Sequence, residues 1–524
     1  MTSHVASAAR TFVLLQLGVR LVTFALNQVL VRTTAPAVYG AANVQLELVL
    51  SVVLYTARDS VRSVALRRPS HAHDLVLAMV PVGALLAAAT SWAYLHMLVP
   101  DELAAYGPAL AVSVALYYIG AVFELVAEPS LLCLVGKDVY VSVRVGMEAA
   151  AVLARACATA ALLTPPGLDA LARALVTCGI DAPPAAVSLA AYGVGRAAYG
   201  AAMLCAALFG AIRAAGLRRA AVAYVPRWAI DGETRQLALY TLLQSLTKQT
   251  LAEGDKIAVA RLAPLKEQGG YALASNYGSL AARILFQPVE ESARLFFAGA
   301  PKAAESARLV HSLLRAHVVF ALALVAFGPP LSQPGLVVLA GERWAFNGAA
   351  PSAASRILAC YCWYLPVMGV NGIVEAYMQS CAPPRTLARY SYVLLGSSVV
   401  FVASLWAVRE AGVTAEAALI AASALSLGVR AAASWRWMYV HLGASDARAA
   451  SRVSVRSVAP AAAVTAAFAL AAGGLRAVYE PLVPGDVRAL VARAVDAGSA
   501  VSRMAAACVG GLLLVGTAVC LYGI

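Results

Sequence analysis

From end to end the chain is a succession of apolar stretches, each about 20 residues long. A helix rises about 1.5 Å per residue, so roughly 20 apolar residues cross the hydrocarbon core of a bilayer. Fourteen such stretches are legible, at approximately 11–31, 38–64, 75–99, 106–130, 138–164, 186–210, 236–262, 271–298, 310–328, 353–380, 387–408, 413–440, 455–475 and 504–523. With 61% hydrophobic and 13% charged residues in 524, a water-soluble domain could not hide this much apolar surface. The expected class is an all-α polytopic membrane protein of about 14 transmembrane helices.

Charge then bears on topology. The net charge is +13, and with the N-terminus in the cytosol most loop arginines and lysines fall on the cytosolic side. Short basic loops stay inside, so both termini are expected to be cytosolic, in agreement with an even number of spans. The first stretch is too long for the core of a signal peptide and lacks a clean small-residue cleavage site, so it should remain as the first span. The nine cysteines are scattered, with no disulfide framework or zinc spacing. No N-x-S/T sequon, Walker A loop or H-E-x-x-H motif occurs. The chain therefore reads as neither a primary pump nor a metalloenzyme, and no cofactor, metal or nucleic acid is expected.

The most basic loop, "AIRAAGLRRAAVAYVPRWAIDGETR" (211–235), follows six spans, and six more precede "HLGASDARAASRVSVR" (441–456). This divides the chain into an N-terminal six-helix lobe (1–212), a basic cytosolic linker (213–235), a C-terminal six-helix lobe (236–440) and a transmembrane helix pair (441–524). Tyr39–Arg62 and Tyr271–Arg294 align without gaps at five identical positions, pairing "RDSVR" with "EESAR". Both windows lie in the second helix of their lobe, as a parallel internal repeat would place them.

Within the apolar stretches stand charges that lipid does not tolerate. A charge near the bilayer centre costs on the order of 3 kcal/mol and usually faces a bundle interior or a watery cavity. Arg20 lies mid-span, with Gln16 and Asn27 on the same helix. Glu47, Arg58, Asp59 and Arg62 follow, then Glu124 and Glu128, and Arg144, Glu148 and Arg155. The second half holds Lys248, Glu253, Asp255, Lys256, Arg283, Glu290, Glu291, Arg294 and Glu375. Arg58 and Arg62 share a face at i,i+4 and could grip one dianion. Glu290 and Arg294 have the same spacing and could neutralise each other, as could Glu253 and Lys256 at i,i+3. Paired charges gluing helices together explain Arg144, Glu148 and Arg155 well. They explain Arg58 and Arg62 poorly, since Asp59 sits on another face, although snorkelling to the headgroups would need no ligand. Pro288 interrupts its helix, which is tolerated where protein or water satisfies the freed backbone groups. The first lobe thus reads as cationic and the second as mixed, which suits a bulky anionic substrate.

The blocks "QGGYALASNYGSLAARILFQPVEES" (268–292) and "TKQTLAEGDKIAV" (247–259) resemble the Rft-type oligosaccharide-lipid translocation proteins of the endoplasmic reticulum. So do "LLQLGVRLVTFALNQVLVR" (14–32), "NVQLELVLSVVLYTARDSVR" (43–62), "FELVAEP" (123–129) and "YLPVMGVNGIVEAYMQS" (364–380). They occur in order across nearly the first 380 residues; beyond about 385 the likeness is one of hydropathy. The resemblance places the chain among the multidrug/oligosaccharidyl-lipid/polysaccharide exporters. It implies two six-helix lobes around a central cavity, and a substrate, pentamannosyl-di-N-acetylglucosaminyl diphosphodolichol, delivered to the lumen for N-glycosylation. It implies Arg20, Arg58, Arg62 and Arg283 as diphosphate-binding residues. Asn27, Glu128, Glu253, Lys256, Glu290, Glu291, Asn371 and Glu375 would be polar cavity or gating residues. Arg294 departs from the family, where an uncharged or aromatic residue is commoner, and the insert "TPPGLDALARALVTCGIDAPP" (164–184) has no counterpart.

Three functional readings follow. The first is a lipid-linked oligosaccharide flippase without covalent chemistry, its partners being the glycolipid, membrane lipids and other N-glycosylation proteins. The second is a non-transporting accessory protein that binds the same glycolipid. The third, a cation-coupled exporter, would need free acidic residues, whereas most candidates here have a basic residue within one turn.

Overall fold

The computed structural model describes residues 24–67, 72–132, 140–226, 230–299, 302–348, 350–410 and 415–479. Arg20, most of the 11–31 stretch, all of 504–523 and the end of the expected C-terminal helix pair lie outside the described residues. Among the described residues the regular structure is helical apart from a short antiparallel ladder, β1 (Phe346–Asn347) against β2 (Ala350–Pro351), with Phe346 opposite Pro351. Among the described residues eight helices are long and apolar enough to cross a membrane, or nine if Gly146–Leu162 and Pro165–Thr177, bent by 87°, form one span. The chain is a polytopic α-helical membrane protein. Two of the fourteen stretches, 11–31 and 504–523, lie mostly or wholly outside the described residues, and others are interrupted within the described ones. The 236–262 stretch breaks at Glu253, 271–298 is interrupted and charged, and the helix within 455–475 begins only at Ala462.

The chain divides into two compact units at Gly269/Gly270. In the first unit, α1 covers 24–33. Next, α2 is built from Pro36–Gly40, a π-helical turn Ala41–Leu46 and Glu47–Arg67. Pro36 opens it, where the missing N–H costs nothing and the preceding Ala35 is extended. Then come α3 (Ala72–Ala93), α4 (Pro108–Leu132), α5 (Tyr140–Leu162), α6 (Pro165–Thr177), α7 (Pro184–Ala215), α8 (Gly232–Ala252) and α9 (Gly254–Leu262). The 164–184 insert thus contains a helix, α6, whose N-terminus is capped by the Thr164 hydroxyl accepting from the Gly167 N–H. Its Leu175 packs with Val187 and Ala190 of α7. The 236–262 stretch, expected to open the second lobe, lies in this first unit because α8 packs along α2.

Helix α7 is the organiser of the unit, packing against both α4 and α5. Two glycines let α4 and α7 cross closely. A Cβ on Gly120 would stand 2.7 Å from the Arg196 carbonyl oxygen, and one on Gly200 would stand 2.3 Å from the Gly120 carbonyl oxygen. One turn beyond Gly120 on α4 is Glu124, so this contact brings Glu124 to Arg196.

The division between units falls within α10 (Leu265–Ala281). A π turn, Ala282–Phe286, leads into α11 (Gln287–Ala298), with Pro288 in its first turn. The proline therefore stands where the π turn has already disturbed the regular hydrogen-bond ladder. The second unit continues with α12 (Ala303–Ala340), α13 (Ala353–Cys381), α14 (Pro384–Glu410), α15 (Ala415–Ser445) and α16 (Ala462–Tyr479). One hydrophobic core joins Phe297 of α11, Val310 and Leu314 of α12, Tyr377 of α13 and Met438 of α15. Here α13 packs on α15, α14 on α15, α12 on α13 and α11 on α13. In the first unit the same relations hold for α4 with α7, α5 with α7, α3 with α4 and α2 with α4. The repeat that the sequence suggests over one helix is thus visible in the packing order of five.

Candidate functional site

In the first unit four charged side chains from three helices meet. Arg58 of α2 reaches two carboxylates of α4: its Nη2 lies 2.8 Å from Glu124 Oε2 and its Nε 3.1 Å from Glu128 Oε1. Glu124 and Glu128 are i,i+4, so both face α2. The other oxygen of Glu124 accepts from Arg196 of α7, whose guanidinium also lies over the Tyr199 ring at 4.5 Å from its centroid. Glu124 and Arg196 are almost wholly buried, whereas the Arg58 side chain keeps 20% of its surface. A further pair, Arg155 of α5 with Glu47 of α2, closes at 3.5 Å. The six groups balance in charge, as burial requires.

Paired charges therefore do explain Arg58, contrary to the reading from spacing, which weighs only Asp59 on another face. The partners of Arg58 lie on another helix, 66 and 70 positions away in sequence. Arg62 sits on α2 one turn beyond Arg58, and Arg283 lies in the π turn; their side chains fall outside the described set. Asn27 is half-buried on α1. Glu253 marks the break between α8 and α9, where its carboxylate pairs with Lys256 Nζ at 2.7 Å and accepts from Gln249.

The second unit holds a cluster of the same design. Glu375 of α13 is buried and saturated: Asn371 Nδ2 donates to Oε2 at 2.7 Å and Gln379 Nε2 to Oε1 at 2.8 Å. Arg430 of α15 donates Nη2 to both oxygens at 3.0 and 3.2 Å. On α11, Glu290 pairs with Arg294 at 2.5 Å. It lies against Gly372 of α13, where an added Cβ would stand 3.1 Å from Glu290 Oε2. Glu291 is exposed and accepts from Gln287 at 2.9 Å. The structure therefore brings Arg58 together with Glu128, and Asn371 together with Glu375, while Glu290 approaches their helix.

Sequence reasoning passed over Arg196 and Arg430, although each is flanked by small and apolar residues, in "GRAAYG" and "GVRAAA". A solitary arginine in such a span is itself a signal of a buried acidic partner. No group of three or more metal-ligating side chains converges among the described residues.

The fold is similar to those of two solved polytopic membrane proteins. It matches the lipid II flippase MurJ in its inward closed conformation with a TM-score of 0.55 at 10% identity, covering 90% of this chain and 98% of the other. An inward-facing multidrug resistance MATE family transporter of the MOP superfamily matches with a TM-score of 0.54 at 13% identity, covering 81% and 95%. Residues 4–500 match the family model described as Rft protein, and the chain belongs to that family. Relatives named Man(5)GlcNAc(2)-PP-dolichol translocation protein RFT1 include that of Xenopus tropicalis, 29% identical over 422 residues and 74% of each chain. The Mus musculus protein is 29% identical over 423 residues, covering 76% of this chain and 75% of its own. The Saccharomyces cerevisiae protein is 37% identical over 169 residues, 31% of this chain and 29% of its own.

Proposed function

We propose that the chain translocates pentamannosyl-di-N-acetylglucosaminyl diphosphodolichol from the cytosolic to the luminal leaflet of the endoplasmic reticulum membrane, for protein N-glycosylation. Family membership and the names of the relatives support the substrate. The observation that carries the mechanism is the sharing of Glu124 between Arg58 and Arg196.

Arg58 is the diphosphate ligand in this reading, and Glu124 and Glu128 stand in for the anion while the site is empty. Releasing Arg58 does not orphan Glu124, because Arg196 keeps its other oxygen. The cost of opening the site is thereby reduced, since breaking a buried pair is expensive when it leaves a lone charge. A guanidinium also suits a phosphate better than an ammonium would, because its fork donates two parallel hydrogen bonds. Arg20, Arg62 and Arg283 complete the cationic set, and Glu253, Lys256, Glu290 and Glu291 hold the empty state. Synthesis on one face and consumption on the other would drive net movement without a coupled ion. Both termini are cytosolic in this account. Arg213 in the last turn of α7, with Arg218 and Arg219 just beyond it, and Arg448 and Arg452 after α15 then lie on the side that basic loops favour.

The test is rescue of N-glycosylation in a host lacking its own family member, read as occupancy of a secreted glycoprotein reporter. Arg58→Ala is expected to lower occupancy strongly at equal protein level, since a charge-assisted contact contributes about 1.5–3 kcal/mol. Arg58→Lys should rescue in part. Full rescue by Arg58→Ala would remove Arg58 from the site.

A further inference from the structure

The repeat allows the two charge clusters to be compared position by position. On the second helix of each repeat, Arg58 corresponds to Glu290, from the ungapped alignment of Tyr39–Arg62 with Tyr271–Arg294. On the fourth, Glu124 corresponds to Glu375, each held by the sixth-helix arginine, and Glu128 at i+4 corresponds to Gln379. On the sixth, Arg196 in "RAA" corresponds to Arg430 in "RAA". In both units the sixth-helix arginine holds a fourth-helix glutamate. What differs is the helix-2 position, cationic in the first unit and anionic in the second, and one fourth-helix carboxylate that has become an amide.

This difference dictates another ligand chemistry. An anion at the second cluster meets Glu290 and Glu375, and a cation meets Arg294 and Arg430. A neutral group remains. Among the described residues, Asn371 Oδ1, Arg430 Nε and Arg294 Nε are buried without a hydrogen-bond partner. Asn371 is only 7% exposed, so its lone acceptor is not satisfied by bulk water. The side chains of Arg430 and Glu290 are about one-third exposed, at 32% and 29%, so the cluster runs outward from Asn371 to charged groups that lipid would reject. A hydroxyl is the group that donates to an amide oxygen and accepts from a guanidinium N–H at once.

We infer that Asn371, Glu375 and Arg430, with Glu290 and Arg294, form a saccharide subsite, distinct in chemistry from the anion site around Arg58. The inference rests on reading the first cluster as the diphosphate site and assigns the sugars of the same substrate to the second.

The test uses the full-length protein in detergent and two separate probes. One is the free heptasaccharide without phosphate, followed by saturation-transfer NMR; the other is dolichyl diphosphate without sugars, followed by thermophoresis. Asn371→Ala is expected to weaken heptasaccharide binding about five- to tenfold, the loss of about one hydrogen bond, and to leave dolichyl diphosphate binding unchanged. Arg430→Lys keeps the charge beside Glu375 while removing the Nε donor, so it should fold and show the same selective loss. Arg58→Gln should give the opposite pattern. Wild-type protein that binds dolichyl diphosphate but not the heptasaccharide would overturn the inference while leaving the diphosphate site standing. Heptasaccharide binding indifferent to both variants would overturn it as well. Dolichyl diphosphate binding indifferent to Arg58→Gln would instead refute the reading of the first cluster.

Discussion

Replacing Arg196 by Met is expected to destabilise the protein by about 3–5 kcal/mol, the cost of removing one partner from a buried ion pair. Glu124 keeps 2% of its surface, so water cannot replace the lost guanidinium. Arg58 still holds one of its oxygens, which puts the expectation nearer the lower figure. Loss of the contact over the Tyr199 ring adds about 1 kcal/mol. Arg196→Met with Glu124→Gln removes both charges and should recover much of the loss, because a neutral pair carries a far smaller desolvation cost. Thermal unfolding at one scan rate in detergent separates the cases. A single variant as stable as the wild type would show that Arg196 does not hold Glu124.

Gly200→Ala is the second large effect. Its new Cβ would lie 2.3 Å from the Gly120 carbonyl oxygen, which is backbone and cannot rotate away. Helices α4 and α7 must separate, at about 1–3 kcal/mol for overpacking, and the separation draws Glu124 away from Arg196. Gly428→Ala is the control. It lies inside α15 with nothing within 4 Å of the added atom, so helix propensity should make it neutral or stabilising by up to about 1 kcal/mol. The expected order of unfolding temperature is Gly428→Ala at or above wild type, with Gly200→Ala well below both. Equal temperatures for the two variants would mean that the α4–α7 crossing is looser than these distances require.

Much of the architecture is legible in hydropathy, because a lipid-facing helix has no other solvent to satisfy. The stretches at 75–99, 106–130, 186–210, 353–380 and 413–440 each lie, to within about two residues among the described ones, within a long helix. Hydropathy misses what happens inside a helix. The break at Glu253, the π turns of α2 and before α11, and the sharp turn into α6 arise from local backbone geometry or packing. The candidate site divides the same way. Spacing finds pairs on one helix, so Glu253 with Lys256 and Glu290 with Arg294 were readable. It is blind to pairs made by packing, and so Arg58 appeared to be a lone cation. Arg196 and Arg430 carried a signal of a different kind: an isolated arginine in an apolar helix implies a partner without naming it.

The measurement that tests the central claim most directly is translocation in liposomes. Purified protein is reconstituted with fluorescently tagged heptasaccharide diphosphodolichol, and the fraction reaching the opposite leaflet is followed over time. Protein-free liposomes and an Arg58→Ala/Arg62→Ala variant stand beside it. The account predicts that the protein accelerates translocation and that the double variant loses most of the acceleration. Folded protein that binds the glycolipid yet leaves its translocation at the protein-free rate would contradict the account, and would identify the chain as an accessory binder of the same lipid.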